Sequence, residues 1–318
     1  HTITMQIIKA LLYYYSLAKD FPQIVSIEIK KYSPVRRNTF VIVNINQTKG
    51  LRNPLFASTN TKKFFPSSYL EQAIFEESLF GKNIRVALSY WLKACSSRSL
   101  DYMFENYWRA FNALYRQNKE RIYPIELADM RQKLSQGKVK QKDLNDLIRK
   151  KNQEQYCLDK IKELIEILYK QGKLTDTLSV ANNIKLDIFR WNKMITSCCE
   201  RSSKSESTII KNLYGNYTDA KVLDTLFKIV QSRKNANTYK NAFETYKIQH
   251  TNTKNPIDIV TILSTKYGYF FRNRMFHGVD ENVSFYVTKT QLDAEMEVLN
   301  NLLDVLVYEL IKNNQYLK

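Results

Sequence analysis

Apolar residues recur at spacings of three and four positions along most of this chain. From about residue 69 onward the pattern continues almost without interruption, and it is typical of helices that bury one face. The 318 residues include only 7 Gly and 6 Pro, so few positions interrupt a helix. The pattern therefore predicts a mainly α fold, a bundle of long helices. The apolar faces comprise Leu100, Met103, Phe104, Tyr107, Phe111, Leu114 and Tyr115 in one segment, and Leu158, Ile161, Leu164, Ile165 and Leu168 in another.

The last predicted helix follows Thr288 and carries apolar residues on two sides. A single row would indicate a coiled coil, whereas two rows favour a helix buried inside a bundle. The first row contains Leu292, Met296, Leu299, Leu303, Leu306 and Leu310, and the second contains Val298, Leu302 and Val305.

The first 68 residues follow a different pattern. Residues 3–19 have helical spacing, whereas two later segments alternate β-branched and polar residues, which predicts a small β-hairpin. Residues 46–68 contain Gly, Pro, Ser, Thr and Asn and are typical of a loop or linker. We therefore expect an N-terminal segment of unassigned role over residues 1–68 and a helical domain over residues 69–318. The predicted strands are residues 24–29 and 39–45.

The chain is strongly basic, with 49 Lys and Arg against 31 Asp and Glu and a formal net charge of +18. Such a charge indicates a polyanionic partner, RNA or DNA. The alternative is a coding bias that enriches Lys, Asn, Ile and Tyr together. Residues 138–151 form a basic amphipathic stretch, for which a solvated helix face is the default interpretation and a phosphate-contacting face the alternative. Trp91, Trp191 and the many tyrosines are candidates for stacking on unpaired bases, whereas we expect Trp108, Phe111 and Tyr115 to pack in the core.

The four cysteines do not have the spacing of a metal site. Cys95, Cys157 and the adjacent Cys198 and Cys199 include no CxxC pair, and no histidine lies at zinc-ligand distance. We expect a reduced cytoplasmic protein without a bound metal or cofactor. Neither a leader sequence nor an apolar run of about 18 residues is evident, so we expect no membrane partner.

Candidate chemistry centres on residues 270–278, which contain one of only three histidines. Pro256 suits the first turn of a helix that runs towards His277, and Gly278 suits its C-terminal stop. Arg272, Asn273 and His277 combine a permanent cation, an amide and a side chain that titrates near neutrality. Such a set has the groups needed to cleave a phosphodiester without metal. The other interpretation gives His277 a helix-end role, satisfying terminal carbonyl groups.

Arg272-Asn273-x-x-x-His277 resembles the R-[N/D/H]-x-x-x-H motif of the HEPN superfamily of all-helical ribonucleases. The aromatic segment 104–115 is similar to the first core helix of Apea-like HEPN domains, and the two segments follow in the same order. The resemblance covers residues 70–318. Asn112 stands where many Apea-like members carry Glu, with Glu105 an unmatched substitute. Val279 replaces the tyrosine that is modified in nucleotidylated HEPN toxins, which argues against that regulation.

The resemblance implies a metal-independent endoribonuclease, a toxin or antiviral defence effector, that leaves 2′,3′-cyclic phosphate and 5′-hydroxyl ends. We expect His277 to act as general acid and base and Arg272 to bind the phosphate. Asn273 lies four residues before His277, on the same helix face, and is expected to orient the imidazole. Lys266 and Arg274 are the candidate substrate-binding residues.

Helix geometry separates the two principal groups. Arg272 and His277 diverge by about 140° around a straight helix, so one copy does not easily bring them together. The resemblance also implies a homodimer, and a two-fold axis offers a composite site. We further expect a regulator or antitoxin, with residues 1–68 as the sensing segment.

The alternative function is a non-catalytic module of HEPN fold that binds nucleic acid or another protein. A third possibility is a helical interaction protein whose charge reflects coding bias.

Overall fold

The computed structural model describes residues 2–17, 26–32, 40–46, 67–184, 256–276 and 291–318. This part of the chain is mainly α-helical, as the apolar spacing predicts. The helices are α1 (Thr2–Leu17), α2 (Ser67–Phe75), α3 (Leu79–Cys95), α4 (Leu100–Ser135), α5 (Gln141–Lys150), α6 (Glu154–Lys170), α7 (Thr175–Asn182), α8 (Pro256–Ile262), α9 (Gly268–Phe276) and α10 (Gln291–Lys312). A π-helical segment, Leu263–Tyr267, joins α8 to α9, and a 3-10 turn, Asn314–Leu317, follows α10.

Helix α4 is the central element, and it carries the aromatic face predicted for residues 100–115. The side chain of Ser99 accepts a hydrogen bond from the Tyr102 backbone N–H, which caps the start of the helix. Trp108, Phe111 and Tyr115 are all buried and make ring contacts with one another. Their assignment to the core is therefore confirmed, and they are not available to stack on bases.

Helix α3 packs antiparallel to α4. Asn83 donates to the side-chain oxygen of Gln117 at 2.9 Å near one end of the pair. Near the other end, Cys95 Sγ lies 3.6 Å from the hydroxyl oxygen of Tyr107. Because the residue numbers rise along one helix as they fall along the other, the two helices run in opposite directions.

Helix α10 runs parallel to α4. Asn300 Nδ2 donates to the carbonyl oxygen of Leu100 at 3.0 Å, and Gln117 Nε2 donates to that of Leu317 at 2.9 Å. Both sides of α10 are buried, including Leu299 in the first predicted row and Leu302 in the second. The expectation of a buried bundle helix is therefore confirmed.

The N-terminal helix α1 packs against α2 and α3. Leu12 and Tyr15 enter the same hydrophobic core as the bundle helices. The Lys9 side chain is buried and forms an ion pair with Glu77, while its ammonium group also donates to the Phe75 carbonyl at 3.4 Å. The proposed boundary at residue 68 stays a prediction, but α1 makes direct contact with the helical part.

Two strands follow α1 in the chain. Strand β1 (Ser26–Tyr32) pairs antiparallel with β2 (Phe40–Asn46), and Ile29 lies opposite Val43. Both strands begin slightly later than the alternating pattern predicts.

A carboxylate of α10 caps the start of α7. Glu309 is buried, and its two oxygens accept hydrogen bonds from the backbone N–H groups of Asp176 at 2.9 Å and Thr177 at 3.0 Å. Leu174, at the N-cap position, offers no polar side chain, so a residue 132 positions away in the chain takes this role.

Glu309→Gln is expected to lower the free energy of unfolding by roughly 1.5–3 kcal/mol, because the amide replaces one acceptor with a donor facing a backbone N–H. Urea denaturation measures the change. Glu163→Gln is the matched control, since Glu163 is exposed and forms a surface ion pair with Lys160 at 2.7 Å; its effect should stay within about 0.5 kcal/mol. Equal shifts in the two variants would contradict the capping role.

Two further expectations, on the state of the cysteines and on membrane-spanning helices, concern the described residues. Neither Cys95 nor Cys157 forms a disulfide, and Cys198 and Cys199 lie outside the described residues. Among the helices that the structure describes, none combines the length and apolar character needed to cross a membrane.

Candidate active site

Helix α9, which carries Arg272 and Asn273, packs directly on the aromatic face of α4. The Phe271 ring meets the Phe104 ring edge-on, with centroids 5.0 Å apart, and the Tyr269 ring lies 6.4 Å from that of Trp108. These pairs show that α9 runs antiparallel to α4. The last turn of α9 is therefore level with the first turn of α4, at one end of the bundle.

The π-helical segment sets the rotation of α9. A π turn contains one more residue than an α turn, so it changes which side chains of the following helix face the core. Tyr267, the last π residue, is buried and donates from its hydroxyl to Glu295 Oε2 on α10 at 2.5 Å. Phe271, one turn later, is buried as well. Regular helical spacing did not single out Phe271 as a core residue.

Gly268 allows α9 to approach α4 closely. A Cβ atom at this position would lie 2.9 Å from the Leu263 carbonyl oxygen and 3.0 Å from Cζ3 of Trp108. Both distances are shorter than ordinary carbon contacts, so glycine is required by the packing. The close approach, in turn, places Arg272 beside the start of α4.

Arg272 and Asn273 form a hydrogen-bonded pair at this end of the bundle. Arg272 Nη1 donates to Asn273 Oδ1 at 2.8 Å, and both side chains are partly exposed. The hydrogen bond restricts the rotation of the guanidinium, whose charge is permanent. The amide oxygen of Asn273 accepts from Arg272, and the expected contact of Asn273 with His277 stays a prediction because His277 lies outside the described residues.

The other predicted site residues are only partly described. His277 lies just beyond α9, outside the described residues, so the structure does not test the expected pairing of Arg272 with His277. The backbones of Lys266 and Arg274 belong to the π segment and to α9, whereas their side chains lie outside the described part.

Two acidic residues near the same end were not predicted. Asp101 lies in the first turn of α4, and Asp293 lies in the first turn of α10. Burial and the negative charge of Asp293 raise the pKa of Asp101 above its ordinary value. The signal in the sequence is weak, because an acidic residue in a first helical turn usually serves only to stabilise the helix.

A cationic cluster surrounds Tyr90 within about three helical turns of this end. The ammonium nitrogen of Lys93 lies 5.0 Å from the centre of the Tyr90 ring, and the guanidinium carbon of Arg109 lies 5.5 Å away. Both cations are exposed. The Arg109 guanidinium also forms an ion pair with Glu105. Glu105, the unmatched substitute for the family acid, is therefore engaged in a surface pair.

The suggestion that Trp91 stacks on bases is wrong. Trp91 is only 3% exposed, and its indole N–H donates to Asp304 Oδ1 at 2.8 Å. A buried indole with a hydrogen-bonded N–H is a core residue. Trp191 lies outside the described residues.

Within the described ranges, no group of three or more His, Cys, Asp or Glu side chains is arranged to hold a metal ion. Comparisons of the chain with family models, curated proteins and solved structures found no match.

Proposed function

We propose that this protein is a metal-independent endoribonuclease of the HEPN type. The observation that carries the proposal is the packing of its two motif segments against each other. The Arg272-Asn273 helix lies on the aromatic helix 104–115, with Phe271 against Phe104. The segments are far apart in the chain, and the resemblance requires them to be neighbours in a helical bundle.

Arg272 is the proposed phosphate-binding group. Its guanidinium can donate to two phosphate oxygens and stays positive throughout the physiological pH range. Asn273 is a positioning residue in this proposal, because it accepts from Arg272 Nη1 and thereby restricts the orientation of the guanidinium. The negative charge that develops on the phosphate during attack is stabilised by the Arg272 guanidinium, which is already oriented.

His277 is the proposed acid and base. Its imidazole removes the proton from the 2′-hydroxyl of the substrate, and the 2′-oxygen then attacks the adjacent phosphorus. The bond from phosphorus to the 5′-oxygen breaks, and that oxygen takes the proton from the imidazolium. The products are a 2′,3′-cyclic phosphate and a 5′-hydroxyl, with no redox change and no added reactant.

Two copies of the chain are proposed to share each site. Arg272 and His277 diverge by about 140° on a regular helix, and a two-fold axis is the simplest way to bring both groups to one phosphate. An active nuclease endangers its own cell, so we also propose that a regulator or antitoxin controls this protein. Its proposed role is that of a toxin or antiviral effector.

Purified protein is expected to cleave total RNA in the presence of excess EDTA, because no step uses a metal. Sequencing of the cut ends, with and without phosphatase treatment, should show cyclic phosphate and 5′-hydroxyl termini. Salt-sensitive RNA binding without any cleavage would favour the non-catalytic module instead. Absence of binding at physiological salt would support the interaction protein whose charge reflects coding bias.

A further inference from the structure

A second charged surface lies at the opposite end of α4. Residues 131–151, here called the basic arm, comprise the end of α4, the following turn and α5. They contain eight Lys or Arg and two Asp, which corresponds to one third of the formal net charge of +18. The arm makes up 21 of 318 residues, so the charge is concentrated there rather than spread over the chain.

The basic arm projects beyond the hydrophobic core. Tyr123 is the last buried residue of α4, and the helix continues to Ser135. In α5, Leu144 alone is buried, and it anchors this helix to α4. The remaining residues of the arm present their side chains largely to solvent.

Few of the basic side chains in the arm are neutralised. Lys133 pairs with Asp129 at 2.7 Å, and Arg149 lies 3.5 Å from Asp146. Within the part of the chain that the structure describes, five exposed residues of the arm form no ion pair. They are Arg131, Lys138, Lys140, Lys142 and Lys150.

Helix stabilisation explains only some of this charge. Arg149 and Lys150 lie in the last turn of α5, where cations interact favourably with the helix dipole. Lys140 and Lys142 flank the start of its first turn, where the same dipole disfavours positive charge, whereas Lys138 directly follows the C-terminus of α4, whose dipole favours a cation. The two lysines at the start of α5 are better explained by an external anion than by the stability of α5, and Lys138 adds charge beside them.

We propose that the basic arm docks the phosphate backbone of the RNA substrate, away from the site of cleavage. The inference rests on the proposed function and adds a second contact to it. Charge complementarity selects the occupant, because a row of exposed lysines matches the regular phosphates of a nucleic acid and requires no base sequence.

The length of α4 sets the size of RNA that can use both surfaces. Arg272 is level with the first turn of α4, and the arm begins about 30 residues later, so about 45 Å separates them along the helix axis. At roughly 3.4 Å per nucleotide in a stacked strand, the RNA must extend about 13 nucleotides to bridge this distance. Shorter oligonucleotides reach the site at Arg272 without contacting the arm.

The test compares the wild type with Lys138→Gln, Lys140→Gln and Lys142→Gln combined. Binding and cleavage are measured on a 40-nucleotide RNA and on a 6-nucleotide RNA over a range of salt concentrations. Removing three phosphate contacts should flatten the slope of log K against log salt by about 2 for the long RNA. Its KM should rise on the order of tenfold, while cleavage of the short RNA stays unchanged.

The control removes three exposed lysines outside the arm, Lys82→Gln, Lys170→Gln and Lys312→Gln, for the same change in net charge. Its salt slope should change by less than 1. The inference is overturned if the arm variant behaves like this control. This includes the case in which the arm binds an acidic protein rather than RNA. Loss of long-RNA binding in the arm variant, with no cleavage by the wild type, would support the arm and reject the nuclease.

Discussion

Arg272→Ala is expected to lower the rate of RNA cleavage by about 10²- to 10³-fold. The reason is the loss of the oriented cation that stabilises negative charge on the phosphate, an effect of this size when a single such donor is removed. Single-turnover cleavage of a 6-nucleotide RNA measures it without a contribution from distant binding. Thermal unfolding should change little, because the Arg272 side chain is partly exposed.

Two variants distinguish a catalytic role for Arg272 from a general one. Arg272→Lys keeps the charge but cannot donate to two phosphate oxygens in one plane, so it should recover only part of the activity. Asn273→Ala removes the acceptor at 2.8 Å and should lower kcat while leaving the salt dependence of binding unchanged. Full activity of Arg272→Ala would exclude Arg272 from the mechanism.

Mixing inactive variants tests the shared site in the same assay. Arg272→Ala and His277→Ala protein, dissociated and reassembled together, should form mixed dimers with one intact composite site. Random assembly then restores roughly a quarter of the wild-type activity. A site contained within one chain would give no recovery.

Gly268→Val is expected to lower the free energy of unfolding by about 3 kcal/mol and to reduce cleavage as well. Branched methyl groups would add to a Cβ that already lies 2.9 Å from the Leu263 carbonyl oxygen and 3.0 Å from Trp108 Cζ3. Helix α9 must then move away from α4, and Arg272 moves with it. Urea denaturation and the cleavage assay measure the two effects on one preparation.

Ala128→Val is the matched control for Gly268→Val, because it places the same side chain on an exposed helical position. It should cost about 0.5 kcal/mol, the difference in helix propensity alone. Trp108→Phe removes the part of the indole that carries Cζ3. In that background Gly268→Val should cost less, with a coupling energy of about 1 kcal/mol. Strict additivity would show that the contact with Trp108 is not the cause.

The periodicity of α4 and α10 predicted their buried faces correctly. Trp108 and Leu302 face the core because an apolar stripe at helical spacing has only one favourable orientation in water. The same reasoning failed to single out Phe271, since a π turn precedes it and changes the rotation of the helix. The π turn itself has no clear sequence marker. Trp91 was misassigned because an isolated tryptophan gives no sign of whether a buried Asp304 accepts from its indole N–H.

For the candidate site as well, the sequence indicates some features and only helix packing decides the others. The sequence identifies Arg272, Asn273 and His277 as chemically suited groups, because residue type and local spacing are properties of a short segment. It does not indicate that Asn273 accepts from Arg272, or that Asp101 and Asp293 influence each other from the first turns of different helices. Those relations depend on how helices pack.

By itself, the amino-acid sequence determined the helical class, the inward faces of the long helices and the concentration of positive charge, since all three arise from neighbours in the chain. Tertiary structure alone decided that α9 meets the start of α4, that Glu309 caps α7 and that the basic arm lies about 45 Å from Arg272. The physical reason is that these arrangements depend on close packing between residues distant in the chain, where a difference of one atom, such as the missing Cβ of Gly268, changes which surfaces can touch.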